Sequence, residues 1–144
     1  MKLSKKRVLT ALSSTVLIVV SSLSQAVELN LVPRNGVIGD LYDGTKIATG
    51  RIVCHGEHMG FNLWINSPSV ENNPGHYIIQ GRQDSRHKLY VRIDGEGWSP
   101  SVREGREGMA RYGQDEQAVF HVVLDGRQNV VADEYVYSIT GECL

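Results

Sequence analysis

The densest set of potential ligands is His55-Gly56-Glu57-His58, which places two imidazoles and a carboxylate within four residues. These side chains could bind zinc, but the metallopeptidase pattern that uses them requires both histidines on one face of a helix. Gly56 and Gly60 instead indicate a hairpin turn between two strands. We therefore expect no bound metal, and zinc held by this segment is the alternative.

The spacing of the other polar residues does not indicate a catalytic site either. The chain has no G-x-S-x-G motif, and Glu104 and Glu107 lie in a glycine-rich stretch without rigid support for acid–base chemistry. Asp94-Gly95-Glu96-Gly97 resembles part of a calcium loop but lacks further carboxylates at the required spacing. We predict no catalytic residue and no cofactor, so an enzyme is the least favoured class.

The N-terminus has the three parts of a secretory signal peptide. Basic residues open the chain, and an apolar stretch follows from Val8 to Val20. Ser24 and Ala26 supply small side chains at positions −3 and −1 of a cleavage site. These features predict a signal peptide over residues 1–26 and a mature domain over residues 27–144, with an uncleaved membrane anchor as the alternative.

Length and charge limit the remaining classes of protein. The chain has 144 residues, of which 41% are apolar and 22% are charged, and this is typical of one compact domain. The predicted leader carries four of the fifteen basic residues and none of the sixteen acidic ones, so the mature domain has a formal net charge of −5. Its basic residues are scattered singly, unlike the clustered positive surface of a nucleic-acid-binding protein. We expect no nucleic-acid partner.

Cys54 and Cys143 are the two cysteines of the chain, and both lie in the part predicted to be exported. An oxidising compartment favours a disulfide between them. The bridge would join residues 89 positions apart and tie an early segment of the fold to its end. Two separate thiols, or a pair of metal ligands, are the alternatives.

Apolar residues after the leader recur at every second position, with Gly, Asn, Asp or Pro between the runs. This period is typical of an all-β domain, and no stretch of ten or more residues shows a helical stripe. The predicted strands cover residues 27–31, 48–54, 61–65, 77–79, 88–93, 118–124 and 134–141. Residues 99–117 have no period and carry several charges, which predicts a long loop.

The alternation also predicts which side chains face the core. If Cys143 turns inward to reach Cys54, then Tyr135, Tyr137 and Ile139 face the core with it. The disulfide would then join the two sheets of an immunoglobulin-like β-sandwich. Trp64 falls on the polar phase of its strand, so we expect it outside the core, either exposed or beneath a loop.

The last strand of such a sandwich is missing, because Leu144 follows directly after the cysteine of the second-last strand. An incomplete sandwich leaves an apolar groove flanked by unpaired backbone groups. We predict that another chain completes it with a donor strand. The residues expected to line the groove are Leu29, Leu31, Tyr135, Tyr137 and Ile139.

Several segments together resemble the invasin-type minor subunits of the Afa/Dr adhesins, a group that includes the minor tip pilins of aggregative adherence fimbriae. The resemblance covers essentially all of the mature domain. The segments that carry it are residues 43–54, Gly60-Phe61, Gly95-Glu96-Gly97-Trp98-Ser99-Pro100, residues 113–117 and Glu134-Tyr135. It implies a pilin domain that lacks its last strand, a periplasmic chaperone, an outer-membrane usher and a major fimbrial subunit that donates the strand.

The resemblance also implies a position in the fibre. After cleavage the chain starts directly with the alternating segment Val27–Leu31, so we expect it to accept a strand and to donate none. Such a subunit would be exported through the periplasm to the tip of a fimbria on the cell surface. The alternative is that residues 27–33 are themselves a donor strand.

Receptor binding is the remaining activity that the resemblance implies, as attachment to or invasion of host cells, with integrins as a candidate receptor. The chain has no Arg-Gly-Asp tripeptide. Because Arg and Trp are enriched at binding hot spots, Trp64, Arg103, Arg106 and Arg111 are the candidate contacts. The alternative class is a small secreted or periplasmic binding or inhibitor protein that is complete by itself.

Overall fold

The computed structural model describes residues 6–12, 18–19, 27–70, 73–103 and 106–144, and the regular elements within them are β-strands. The strands are β1 (Lys6–Leu12), β2 (Ile18–Val19), β3 (Val27–Pro33), β4 (Gly39–Leu41), β5 (Lys46–Cys54), β6 (Gly60–Ile65), β7 (His76–Gln80), β8 (Lys88–Asp94), β9 (Ser99–Arg103), β10 (Arg106–Tyr112), β11 (Gln117–Leu124), β12 (Gln128–Val130) and β13 (Val136–Cys143). The described part of the chain contains no helix that could cross a membrane.

The strands form two main antiparallel sheets and one small sheet. The first main sheet has the strand order β2-β1-β13-β6-β10-β9, and the second has the order β3-β5-β11-β8-β7. The small sheet pairs β4 with β12. Buried apolar side chains from both main sheets belong to one hydrophobic cluster. The two sheets therefore form a sandwich around a single core.

The strand order is that of an immunoglobulin domain. Strands β3, β5, β11 and β8 follow the order A-B-E-D, and β13 and β6 take the places of strands F and C. Residues 27–33 pair with β5 over their whole length, so in this structure they form the first strand of the sandwich. The predicted immunoglobulin-like fold is confirmed.

The predicted disulfide is present and joins the two sheets. Cys54 at the end of β5 is bonded to Cys143 at the end of β13, with their Cα atoms 5.9 Å apart. The predicted parity is also confirmed, because Tyr137 and Ile139 are buried, as Ile52 is on the facing sheet. Arg51, which neighbours Ile52, is exposed as the same alternation requires.

At the centre of the core, an aromatic side chain of β11 packs directly over a glycine of the neighbouring strand β5. Phe120 on β11 lies directly opposite Gly50 on β5, and a Cβ atom added to Gly50 would overlap the phenyl ring. Trp98 packs edge-on against Phe120 with ring centroids 6.2 Å apart, and Phe61 lies 6.4 Å from Trp98 on its other side. Glycine at position 50 therefore makes room for an aromatic ring that links both sheets.

The predicted long loop over residues 99–117 is wrong for most of its length. Strands β9 and β10 form an antiparallel hairpin, and β10 pairs with β6. Among the side chains described in β10, the buried ones are three in succession, Gly108, Met109 and Ala110, so this strand shows no alternation. A Cβ at position 108 would overlap the carbonyl oxygen of Leu63, which explains a glycine within this strand.

The predicted hairpin turn near His55 is also wrong. Residues 55–59 link β5 to β6, and these two strands belong to opposite sheets. The segment is therefore a crossover at one end of the sandwich. The short strands β4 and β12 were not predicted either, because three residues are too few to show a period of two.

Candidate functional site

The predicted groove lies at the border of the two sheets, between β3 and β13. All five predicted groove residues are 2% exposed or less. They are Leu29, Leu31, Tyr135, Tyr137 and Ile139. All five side chains therefore lie in the core, and their contact with a donor strand stays a prediction.

In the full chain, this groove is occupied by β1, which belongs to the predicted signal peptide. Strand β1 is antiparallel to β13 and paired along its whole length, from Lys6 opposite Glu142 to Leu12 opposite Val136. It also contacts β3 across the border. Strand β1 thus takes the place of the last immunoglobulin strand, which in a complete domain follows the strand equivalent to β13. The border is a slot that accepts one strand.

The side chains of β1 suit the slot only in part. Leu9 is fully buried and Val8 is half-exposed, which is the alternation expected for a strand at this border. Arg7 is only 6% exposed, yet its Nε and Nη2 atoms have no hydrogen-bond partner. Burying an unpaired guanidinium group is costly. A strand with an apolar residue in place of Arg7 would fit the slot better.

The floor of the slot near Arg7 is apolar. Arg7 pairs with Gly141, and a Cβ at position 141 would lie 2.9 Å from Cδ1 of Ile52 and 3.2 Å from Cδ2 of Leu63. The hydroxyl group of Tyr137, on the same strand, is also buried without a partner, and burial raises the pKa of this group. Beside Gly141 and Tyr137 the slot therefore offers mainly apolar contacts, together with the backbone groups of β13.

The start of β13 is held by Asp133, which sequence reasoning missed. Its carboxylate accepts hydrogen bonds from the backbone N–H groups of Gln83, Asp84 and Glu134, and its Oδ2 lies 2.9 Å from Nδ1 of His87. Burial raises the pKa of Asp133, but these hydrogen bonds outweigh burial and lower it to about 2. Asp133 therefore fixes the position at which the groove strand begins.

Replacing Asp133 with asparagine is expected to lower the Tm at pH 7 by about 5–10 °C, because the amide cannot accept all four bonds. The folded-state pKa lies below the ordinary value of 3.8. Its contribution is therefore complete above about pH 4 and is lost as the pH falls towards 2. Melting curves between pH 7 and pH 2 should show the two proteins converging in acid. The exposed Asp115, replaced with asparagine, is the control, and equal Tm values for both variants at pH 7 would contradict the assignment.

The candidate receptor contacts differ in their exposure to solvent. Trp64 is only 9% exposed and belongs to the core cluster, so the expectation that it lies outside the core is wrong. Its strand β6 is flanked by β13 and β10, and its neighbours Asn62 and Thr140 are buried too. Arg111 is partly exposed, with its guanidinium 3.9 Å from the Asp115 carboxylate.

The remaining candidates can be placed only by their backbones. Arg103 and Arg106 face each other where β9 meets β10, at the end of the hairpin. Their side chains lie outside the described structure, as do residue Glu104 and the predicted cleavage site at Ala26. The hairpin end therefore stays a predicted contact surface.

The histidine-rich segment has a structural arrangement. His58 is buried, and its ring nitrogens lie 2.9 Å from the carbonyl oxygen of Gly56 and 2.6 Å from that of Asp115. His55 lies between the carboxylates of Glu28 and Glu116, at 3.4 and 3.5 Å. The described residues contain no group of three or more His, Cys, Asp or Glu side chains able to hold a metal ion. His58 instead links two loops near the disulfide.

The described structure is an immunoglobulin-like sandwich in which a segment from the start of the chain fills the place of the last strand. Pilin subunits take such a strand from another chain. The profile described as "Enterobacteria AfaD invasin protein" matches residues 37–141. The chain belongs to this invasin family. AggB of Escherichia coli is 41% identical over 140 residues, which cover 97% of this chain and 96% of AggB.

Solved structures agree with this assignment. The crystal structure of AggB, the minor subunit of E. coli aggregative adherence fimbriae type I, matches with a TM-score of 0.74 and 44% identity over 81% of this chain and 84% of that one. HdaB, the minor tip subunit of the E. coli Hda pilus, matches with a TM-score of 0.76 and 36% identity over 82% of each chain.

A third structure comes from work on fibronectin binding and biofilm formation by the AAF fimbriae of enteroaggregative E. coli. It matches with a TM-score of 0.75 and 41% identity over 83% of this chain and 88% of that one. These relatives are fimbrial subunits and invasins rather than enzymes. The protein is therefore a minor subunit of the adhesion type, belonging to surface fimbriae.

Proposed function

We propose that this protein is the tip subunit of an adherence fimbria and that the slot beside β13 accepts a donor strand from the major fimbrial subunit. The slot itself carries the proposal, because it is one strand wide, lined by apolar side chains, and bordered by the backbone of β13 along its length. The Nε and Nη2 atoms of Arg7, buried without hydrogen-bond partners, indicate that β1 is not the occupant for which the slot is built. The name of the relative HdaB, a minor tip subunit, supports the position at the tip.

The second part of the proposal concerns the route by which the subunit is exported and assembled. Residues 1–26 are removed as a signal peptide, which takes β1 out of the slot and leaves the backbone groups of β13 without partners. A periplasmic chaperone then fills the slot until an outer-membrane usher passes the subunit to the growing fibre. From the chaperone onward, each exchange substitutes one strand for another, so the apolar border stays covered during assembly.

The test compares residues 27–144 alone with the same residues fused at the C-terminus to the N-terminal strand of the major subunit. We expect the fused protein to be monomeric and to melt at a Tm higher by about 10 °C or more, since filling the slot buries apolar area and pairs β13. A fusion whose inward-facing donor residues are changed to aspartate is the matched control. If the unfused domain is monomeric and melts as high as the fused one, the protein is complete by itself and the proposal fails.

The receptor is a protein of the host surface or matrix, with fibronectin and integrins as candidates. Fibronectin is named because the AAF fimbriae, which contain a relative of this chain, are described as binding it. The proposed contact surface is the β9–β10 hairpin, with Arg103 and Arg106 at its closed end and Arg111 near the other end of β10. Trp64 is not part of this surface, because it is buried.

The contact surface is tested with Arg111→Ala and the control Arg127→Ala, whose arginine pairs with Asp40. We expect Arg111→Ala to weaken binding to immobilised fibronectin or to integrin-bearing cells by about fivefold or more, as for a moderate hot spot. Arg127→Ala should bind like the unaltered protein. Equal binding by both variants would place the receptor contact elsewhere.

A further inference from the structure

The outer face of the second sheet carries exposed apolar and basic side chains together. Val32 on β3 is 63% exposed and Val119 on β11 is 51% exposed, although both lie in well-paired strands. Between them, on β5, lie the exposed residues Thr49 and Arg51. Lys46, on β5, is exposed at one end of this face.

A β-bulge places Lys46 on this face. Strict alternation from the outward Thr49 would turn Ile47 outward and Lys46 inward. The register of β5 with β11 shifts between Val122 and Val123, and Ile47 and Ala48 are both buried in succession. Bulges of this kind redirect side chains and are enriched next to functional sites. The bulge therefore aims Lys46 to the same side as Arg51.

The basic residues of this face lack acidic partners. Five arginines elsewhere in the described structure are in ion pairs with carboxylates. They are Arg82, Arg86, Arg92, Arg111 and Arg127. Within the described residues, Arg34, Lys46 and Arg51 form no such pair, and the Arg34 guanidinium donates to the carbonyl oxygen of Lys46, at 3.5 Å. Three unpaired cations thus share one face of a domain whose net charge is −5.

The same face also has two adjacent depressions in its surface. Two shallow depressions of about 390 and 290 Å³ lie side by side and share Val32 and Thr49. The larger is bordered by Arg34 and Lys46, and the smaller by Arg51. Each depression therefore has an apolar wall and at least one cation at its edge.

We propose that this face, defined by Val32, Arg34, Lys46, Arg51 and Val119, binds an acidic polypeptide segment. Its carboxylates pair with the three cations, and its aliphatic side chains cover the two valines. An extended chain has the matching spacing, because alternate side chains on it project about 7 Å apart, as on the strands below. A sulfated polysaccharide has no apolar side chains for the valines. The face lies on the outside of the second sheet, so its binding does not depend on which strand fills the slot.

The test measures binding of the full chain to a short peptide of Asp, Glu and Leu by titration calorimetry. We expect binding that weakens as NaCl is raised, because exposed charge pairs are screened. The double variant Lys46→Gln/Arg51→Gln should weaken binding by about tenfold or more, as loss of two charge-assisted contacts implies. Val119→Ser should weaken it as well, which a purely electrostatic surface would not show.

The control variant is Lys88→Gln, which removes an exposed cation on β8 of the same sheet. Lys88 is not one of the five residues that define the proposed binding face. It should leave peptide binding unchanged. Failure of the peptide to bind, equal losses in the double variant and in Lys88→Gln, or preference for heparin over the peptide would each overturn the proposal. An uncharged peptide with Asn and Gln in place of Asp and Glu should not bind, and its binding would equally overturn it.

Discussion

Replacing Cys54 and Cys143 with serine is expected to lower the free energy of unfolding by about 4 kcal/mol. The bridge joins residues 89 positions apart, and the entropy that a disulfide removes from the unfolded chain increases with the length of the loop it closes. It also connects the end of β5 to the end of β13, so it holds the groove strand to the opposite sheet. A loss of this size is a large fraction of the stability of an ordinary domain.

Urea denaturation of the full chain measures this loss. The unaltered protein in reducing agent is the internal control, since it should unfold at the same urea concentration as the double variant. The variant itself should not respond to reducing agent. If the reduced protein keeps the stability of the oxidised one, packing rather than the disulfide holds β13 in place.

Replacing Phe120 with alanine is expected to cost about 3–5 kcal/mol, because it removes a fully buried ring and leaves a cavity. The ring lies over Gly50 and against Trp98, so the cavity would open between the two sheets. Unfolding in urea gives the magnitude. Val119→Ala, one residue away and half-exposed, is the matched control and should change stability by less than about 0.5 kcal/mol.

Gly50 provides a second measurement of the same contact. Gly50→Ala alone should destabilise the protein by about 1–3 kcal/mol, because the new methyl group overlaps the Phe120 ring. In the Phe120→Ala background the overlap is gone, so the same substitution should be nearly neutral. A double-mutant cycle isolates this difference. Additive losses would mean that the two positions do not share the space that their packing implies.

The strands with clear alternation could be predicted from the sequence. Strand β3 alternates between buried and exposed residues because one face of it packs on the core and the other meets solvent. Its partner β5 shows the same pattern from Ala48 to Ile52, after which Val53 and Cys54 are both buried. The position of Cys143 in phase with Ile139 and Tyr137 was enough to orient β13, since side chains on one strand alternate strictly.

Other parts of the fold could not be read from a period. Trp64 was placed outside the core because β6 seemed to have a polar face, but Asn62 on that face is also buried, with its amide within 3.4 Å of Glu142. Burial on both sides of a strand removes the alternation on which the prediction rested. The β9–β10 hairpin was missed for a related reason, since its few buried residues are consecutive.

The sequence by itself determined the fold class, the disulfide and the burial of Tyr137 and Ile139, because each depends on residue type and on a period of two along one strand. Only the tertiary structure decided that Asp133 anchors β13 and that Lys46 shares a face with Arg51. The first relation depends on which segments lie side by side in space, and the second depends on the β-bulge, which inserts one extra residue into β5 opposite β11. Local alternation carries no information about either, because neighbours across a sheet come from distant parts of the chain.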